Sequence, residues 1–179
     1  MNRKDFISRI IKLGVIPAFL LTRIKTGAAQ NEETAESSAT QQKFTGQWLV
    51  SLLNNMNNKL QEQDKVKLLE ACGRDCARNG AVQMAQANKG NVQGLIDKLA
   101  EFLGKENAVL AGNKATIKYS KCYCPNLANF TGTMPGMYCN CSRGWVLEMF
   151  ETAAQKPVKV ELVSSIVRGA DHCEFSIEI

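Results

Sequence analysis

Seven cysteines carry most of the chemistry available to this chain, and six of them come in pairs. Two pairs are Cys-x-Cys: Cys122/Cys124 and Cys139/Cys141, near the ends of residues 121–145, KCYCPNLANFTGTMPGMYCNCSRGW. The third is Cys72/Cys76, in LLEACGRDCAR. On an extended strand, side chains two apart share a face with Cα atoms about 6.5–7 Å apart. A disulfide prefers Cα atoms roughly 4.4–6.8 Å apart and strict torsions. A bond within either Cys-x-Cys pair is therefore strained, and each pair is better suited to offering two thiols outward together. Cys72 and Cys76, four apart, share a helix face with Cβ atoms about 5–6 Å apart, again too far for a local disulfide.

Such dithiol units have three uses. They chelate a soft cation, zinc or another thiophilic metal, with two units supplying a tetrahedral four-sulfur set. They bridge to cysteines elsewhere in the chain, and because seven is odd at least one thiol then stays out of any intramolecular set. Or they pack as small buried residues. A cysteine nucleophile needs a base or a positive field. Arg143 beside Cys141, and Arg74 between Cys72 and Cys76, are the candidates for that field. His172, the one histidine, falls in a turn. Phosphate-cradling Gly-rich loops, nucleophile elbows and His-Glu zincin motifs are absent from the sequence.

Helices come first among the elements that must position these thiols. Apolar residues at three- and four-residue spacing predict helices over 44–61 (Trp48, Leu49, Leu52, Leu53, Met56, Leu60), 63–78 and 92–103, with a short one over 81–87. Gly73 lies inside the second, where glycine costs roughly 1 kcal/mol, which points to close approach of another backbone beside the thiols. The period then changes. Residues 107–111 and 114–120 read as a hairpin across Gly112-Asn113. After the cysteine stretch, Ser142 reads as the cap of a helix over 143–155. Strands follow over 158–167 and 173–179, the last alternating Cys173, Phe175, Ile177 and Ile179 with Glu174, Ser176 and Glu178. The expected fold class is α+β: N-terminal helices packed on a four-stranded antiparallel sheet, with one helix inserted between its two hairpins.

Charge separates the chain into a leader and a body. Residues 1–29 hold Arg3, Lys4, Arg9, Lys12, Arg23 and Lys25 against Asp5 alone, an excess equal to the net charge of +5 of all 179 residues. The body is neutral and lacks the basic footprint of a nucleic-acid partner. Residues 1–29 have the anatomy of an export signal: a basic start, an apolar run over 13–21 too short to anchor stably, and TGAA before Gln30. The start resembles the twin-arginine motif, with Lys4 in place of the second arginine; Sec export also fits. The expected location is exported and periplasmic, with only transient membrane contact through the leader. Residues 30–42, QNEETAESSATQQ, read as a flexible tether, and 43–179 as a single Cys-rich domain, long enough for a real core.

The last forty residues add a resemblance. CNCSRGW, a helix, PVKVEL and then RGADHCEFSI resemble the C-terminal half of the four-vinyl-reductase-type ligand-binding domain, and amino-thiazoline-carboxylate hydrolases more distantly. Cys-x-Cys-Ser-x-Gly-Trp with an upstream Ala-Cys-Gly-Arg-x-Cys is also similar to a family of small Cys-rich bacterial proteins. The resemblance implies a pocket for a small apolar or aromatic ligand between sheet and helices, lined by Tyr119, Trp145, Met149 and Phe150. It also implies a zinc beside that pocket. Cys139 matches the first ligand, Glu161 the glutamate and Cys173 the last, while Ser164 or Ser165 stands at the remaining cysteine's place. Cys141, Cys122 or Cys124 would then complete four coordination. The expected function is an exported small-molecule-binding protein with a Cys-rich metal site. The alternatives are a hydrolase of a small cyclic or thio-substituted carboxylic acid and a disulfide-stapled binding module.

Overall fold

The computed structural model describes residues 27–127 and 132–179. The chain divides at Gln41/Gln42 into two units, and the sheet and the cysteines belong to the second. Helix α1 (Gly27–Lys59) takes in the stretch 30–42 that reads as a tether. The difference has a local cause: alanine, glutamate and glutamine recur there, and all three are good helix formers without any apolar stripe. The expected leader lies outside the described residues except for 27–29. Among the described residues, no helix is long and apolar enough to cross a membrane.

Three helices follow: α2 (Glu62–Asn79), α3 (Val82–Gln86) and α4 (Val92–Leu103). At the start of α4, the Asn91 side chain accepts a hydrogen bond from the Gly94 N–H. At its end, Gly104 takes a positive φ of 97° and donates its N–H to the Ala100 carbonyl. Leu95, Ile96 and Leu99 are buried as the periodicity requires. Phe102, on the same expected stripe, is instead 63% exposed, and its ring lies 5.0 Å from that of Tyr123.

The sheet is built from β1 (Ala108–Ala111), β2 (Lys114–Tyr119), β3 (Lys159–Ser164) and β4 (Cys173–Glu178), in spatial order β1-β2-β4-β3 and antiparallel throughout. Helix α5 (Cys139–Ala154) is the insertion between the two hairpins. This is the expected α+β architecture. Period-two alternation turns Ala115, Ile117, Cys173, Phe175, Ile177 and Val160 to one face. There they meet Val146, Met149, Phe150 and Ala153 of α5 and the buried stripe of α4 in one core cluster. A second, smaller cluster joins Leu53 of α1, Leu69 of α2, Met134 and Tyr138, with Cys124 packed against it.

Two boundaries differ from expectation near the thiols. Helix α5 begins at Cys139, and Ser142 lies inside its first turn rather than capping it. A 3-10 turn (Gly136–Tyr138) feeds directly into the helix, with the Cys139 N–H reaching the Gly136 and Met137 carbonyls. Burial of Tyr138 and Cys139 fixes that entry where capping chemistry would have placed it later. Strand β3 ends at Ser164, where its register with β4 shifts, and the chain turns through Ile166–Arg168 to Gly169, which has φ 93°. Ser165, between strand and turn, is 1% exposed.

Helices α2 and α5 cross backbone to backbone, with no room for a side chain at two glycines. A Cβ on Gly73 would stand 1.8 Å from the Cys141 carbonyl oxygen, and one on Gly144 would stand 2.1 Å from the Glu70 carbonyl oxygen. Glycine is thus required on both helices, which accounts for Gly73 inside α2 despite its helix penalty.

Candidate functional site

Because α5 starts at Cys139, the second Cys-x-Cys pair is helical, not extended. Successive residues rotate by about 100° around a helix, so residues two apart leave it on nearly opposite sides. Cys139 turns to the sheet side and Cys141 to the α2 side. The extended-strand reading of this pair, with both thiols on one face, is corrected by that single boundary.

On the sheet side, Cys139 is buried and its Sγ lies 2.9 Å from Ser165 Oγ. Cys173, also buried, receives the Ile166 N–H at 3.4 Å. It pairs with Tyr119 across β2 and β4. Burial pushes the Cys139 thiol pKa up; the Ser165 hydrogen bond and the Arg168 charge pull it down, and Cys173 and Cys122 push it further up. Cys122 is likewise raised, mainly by burial, and it too feels Cys124 and Cys173. Cys139, Cys173 and the Ser165 hydroxyl are therefore drawn together at one turn from a helix start, a strand start and the chain after β3.

On the α2 side the helix crossing is flanked by two unlike rows. One row is ionic. Arg74 meets Glu151 at 2.6 Å and Glu148 at 3.1 Å, Arg78 Nε meets Glu148 at 2.9 Å, and Arg143 pairs with Glu70 while donating from Nε to the Val160 carbonyl at 2.8 Å. The other row is sulfur. Cys72 and Cys76 lie on the flank of Gly73 opposite Arg74, by helical rotation, and both are exposed. Cys141 is half-buried, and its thiol is pushed up to about 12, first by burial and then by Cys124, Cys76, Cys72 and Cys139. Cys124 is held at this row by Tyr138, whose Oη lies 3.2 Å from Cys124 Sγ and accepts from Asn126 Nδ2 at 3.0 Å.

Of the expected thiols, Cys139 and Cys173 are brought to one turn, Cys124 packs against the Leu53–Leu69–Tyr138 cluster, and Cys72 and Cys76 stay exposed on α2. Among the described residues, no three His, Cys, Asp or Glu side chains surround a single point as a metal's ligands would. Glu161 is not brought to them. It pairs with Ser176 across β3 and β4, is exposed, and alternation puts it on the sheet face away from Val160 and Cys173. Ser165 is the residue at the turn that reaches Cys139; Ser164 donates to the His172 carbonyl at 3.0 Å.

The four expected pocket residues separate. Met149 and Phe150 are fully buried within the main core. Tyr119 and Trp145 are partly buried and pack against that core, with Tyr119 at 5.8 Å from Phe175 and 5.9 Å from Tyr123 in edge-on ring contacts. The Trp145 backbone nitrogen lies at the Gly73 crossing, so this residue belongs to the α2 side. The arginines that could have activated a thiol are turned to carboxylates and a carbonyl, and Cys141 is held protonated at neutral pH, so the arrangement does not favour a nucleophile there. Tyr138 is brought to Cys124 by the entry into α5, and Asn126, two residues along the Cys124 loop, donates to the Tyr138 hydroxyl.

One family model matches residues 10–179, nearly the whole chain. The chain belongs to DUF6144, a family of unknown function. No curated protein matched it. The thiols and the glycine crossing lie within the stretch that defines this chain as DUF6144.

Proposed function

We propose that this DUF6144 chain is an exported small-molecule-binding protein organised around a thiolate site for a soft metal ion, zinc or a more thiophilic one. The observation that supports this best is that Cys139 and Cys173, from elements distant in sequence, are both buried against the turn after β3, Cys139 at the Ser165 hydroxyl and Cys173 at the Ile166 N–H. Burial and mutual repulsion keep such thiols protonated; a cation favours the thiolates and offsets both effects. Serine is a poor ligand for zinc, so three sulfurs leave a fourth position for water or a bound ligand, in the manner of open sites. Cys122 lies in irregular backbone and is the ligand that has to move in.

Tyr119 and Tyr123 lie beside this group, and their rings offer a surface for an apolar or aromatic ligand. Export rests on residues 1–29, and an oxidising compartment makes disulfides the rival use of the same sulfurs. Metal analysis of protein isolated from its own compartment, before and after a chelator, with thiol titration alongside, separates the two. The expected result is stoichiometric metal, released by the chelator, with all seven thiols then reactive in the unfolded chain. Metal-free protein with one reactive thiol removes the metal reading.

A further inference from the structure

We infer that the bare edge of β1, with the cleft between it and α4, is a docking site for an extended peptide. The peptide adds to the sheet as a further strand and carries a lysine or arginine two residues from an apolar side chain. The strand order leaves two edges, β3 and β1, and they differ. Edge β3 carries Lys159 and Glu161, and its register with β4 shifts between Leu162 and Ser164. Charge and irregularity of that kind keep other strands away. Edge β1 is Ala-Val-Leu-Ala, without charge, proline or register shift. The two-residue turn Gly112-Asn113, with Gly112 at φ 63°, makes Ala111 and Lys114 a hydrogen-bonded pair. Pairs alternate along an antiparallel ladder, so Val109 also bonds to β2, while Ala108 and Leu110 turn their N–H and C=O groups to the open edge. Outside the ladder, no described backbone group pairs with either residue.

Beside that edge lies an open cleft of about 580 Å³, walled by Ile96, Asp97, Ala100 and Glu101 of α4 and by residues 108–110 of β1. The four α4 residues fall at three- and four-residue spacing, so they form one helix face. A strand laid along β1 turns every second side chain into this cleft. Ile96, Ala100 and Leu110 offer it an apolar surface. The charges favour a cation: Asp97 and Glu101 stand against the single ammonium of Lys105. Glu101 shares its charge with Lys98 at 2.8 Å. Asp97 accepts from Gln93 Nε2 at 2.8 Å and, among the described residues, meets no cation. A second copy pairing edge to edge brings Ala-Val-Leu-Ala, which holds no cation for Asp97 within its four residues. A short basic peptide satisfies both the ladder and the carboxylate, as in strand addition beside a helix. The cleft shares no residue with Cys139, Cys173 or Ser165, so this inference stands apart from the metal reading.

The test uses the full chain, kept reduced, and end-capped pentapeptides in which a lysine and a valine stand two apart between threonines, in both orders. Nuclear magnetic resonance of the nitrogen-15-labelled chain is expected to show saturable shifts within residues 93–111 for at least one order. Backbone N-methylation at alternate peptide residues separates strand addition from surface attraction. One methylation pattern is expected to abolish binding and the other to spare it, because only every second N–H faces β1. Glutamate in place of the lysine is expected to weaken binding about tenfold or more. Asp97→Lys, at an exposed position, is expected to reverse that preference while keeping its circular dichroism. The inference is overturned if neither order shifts residues 93–111 by about 1 mM, or if the shifts fall elsewhere. It is equally overturned if both methylation patterns act alike, or if Asp97→Lys still prefers lysine. Shifts of the same residues on concentrating the free chain would assign the edge to a second copy and overturn it too.

Discussion

Cys139 and Cys141, two residues apart, leave helix α5 on nearly opposite sides. Cys139 meets Ser165 at 2.9 Å, and Cys141 lies against Gly73 on α2. The pair is a divider, sending one sulfur to the sheet and one to the helix crossing.

The crossing itself is the most direct mechanical test. Gly73→Ala and Gly144→Ala each force a Cβ into backbone of the facing helix, at 1.8 Å and 2.1 Å respectively. Backbone cannot rotate aside as a side chain can, so each is expected to cost at least the 1–3 kcal/mol that overpacking typically does, about 2 kcal/mol or more. Gly80→Ala, whose added Cβ meets its nearest neighbour at 3.5 Å, is the control and should change little. Urea midpoints compare the three. Equal stability of Gly73→Ala and Gly80→Ala would mean the helices do not approach as described.

Much of this fold is legible in the sequence, and the reasons are local. The Gly112-Asn113 turn and the alternation of Cys173, Phe175 and Ile177 specify the two hairpins, and the period of Leu95, Ile96 and Leu99 specifies α4. The start of α5 is not legible. Cys139, Asn140 and Cys141 are indifferent helix formers, and Ser142 resembles a cap; the helix starts earlier because Tyr138 and Cys139 are buried there. That one misplaced boundary hides the division of the thiols, since two residues apart means one face on a strand and opposite faces on a helix. Glu161 is placed by the resemblance alone, and strand alternation turns it away. Gly73 does announce the crossing in advance, by standing where helix propensity opposes it.

Acid should loosen the ionic row. Hydrogen bonds from Arg78 and Arg74 hold the Glu148 carboxyl below its ordinary range, against the opposing effect of burial. A carboxylate whose folded pKa is depressed binds fewer protons in the native chain than in the unfolded one. Its stabilising contribution is therefore complete above the unfolded value near 4.3 and is lost as pH falls through the folded value. Stability should fall as pH drops below about 5, and Glu148→Gln should flatten that slope. Denaturant midpoints across this range are the measurement; an unchanged slope in the variant would remove Glu148 as a source.

Ser165→Ala deletes the hydroxyl that meets Cys139 in a site 1% exposed. The lost buried hydrogen bond should cost about 1 kcal/mol in a thermal or urea titration. Ser164→Ala, one residue earlier and hydrogen-bonded to the His172 carbonyl, should leave metal content unchanged. Metal content that follows Ser164 rather than Ser165 would misplace the buried group.

The reduced chain should alkylate in a fixed order when mapped by mass spectrometry. Cys72 and Cys76, both exposed, should react first. Cys141, pushed up to about 12, should be slow even where solvent reaches it, because the thiolate is the reacting form. Cys139 and Cys173 should react only once the core opens. Early reaction at Cys139 would contradict its burial under Ser165.

Native mass spectrometry of unreduced protein from its own compartment tests the central claim most directly. A mass of the chain plus bound metal, returning on acidification to the mass with every cysteine hydrogen present, is the result expected from thiolate coordination. A metal-free mass short of one hydrogen for each of six cysteines would show the sulfurs joined to one another, and would contradict it.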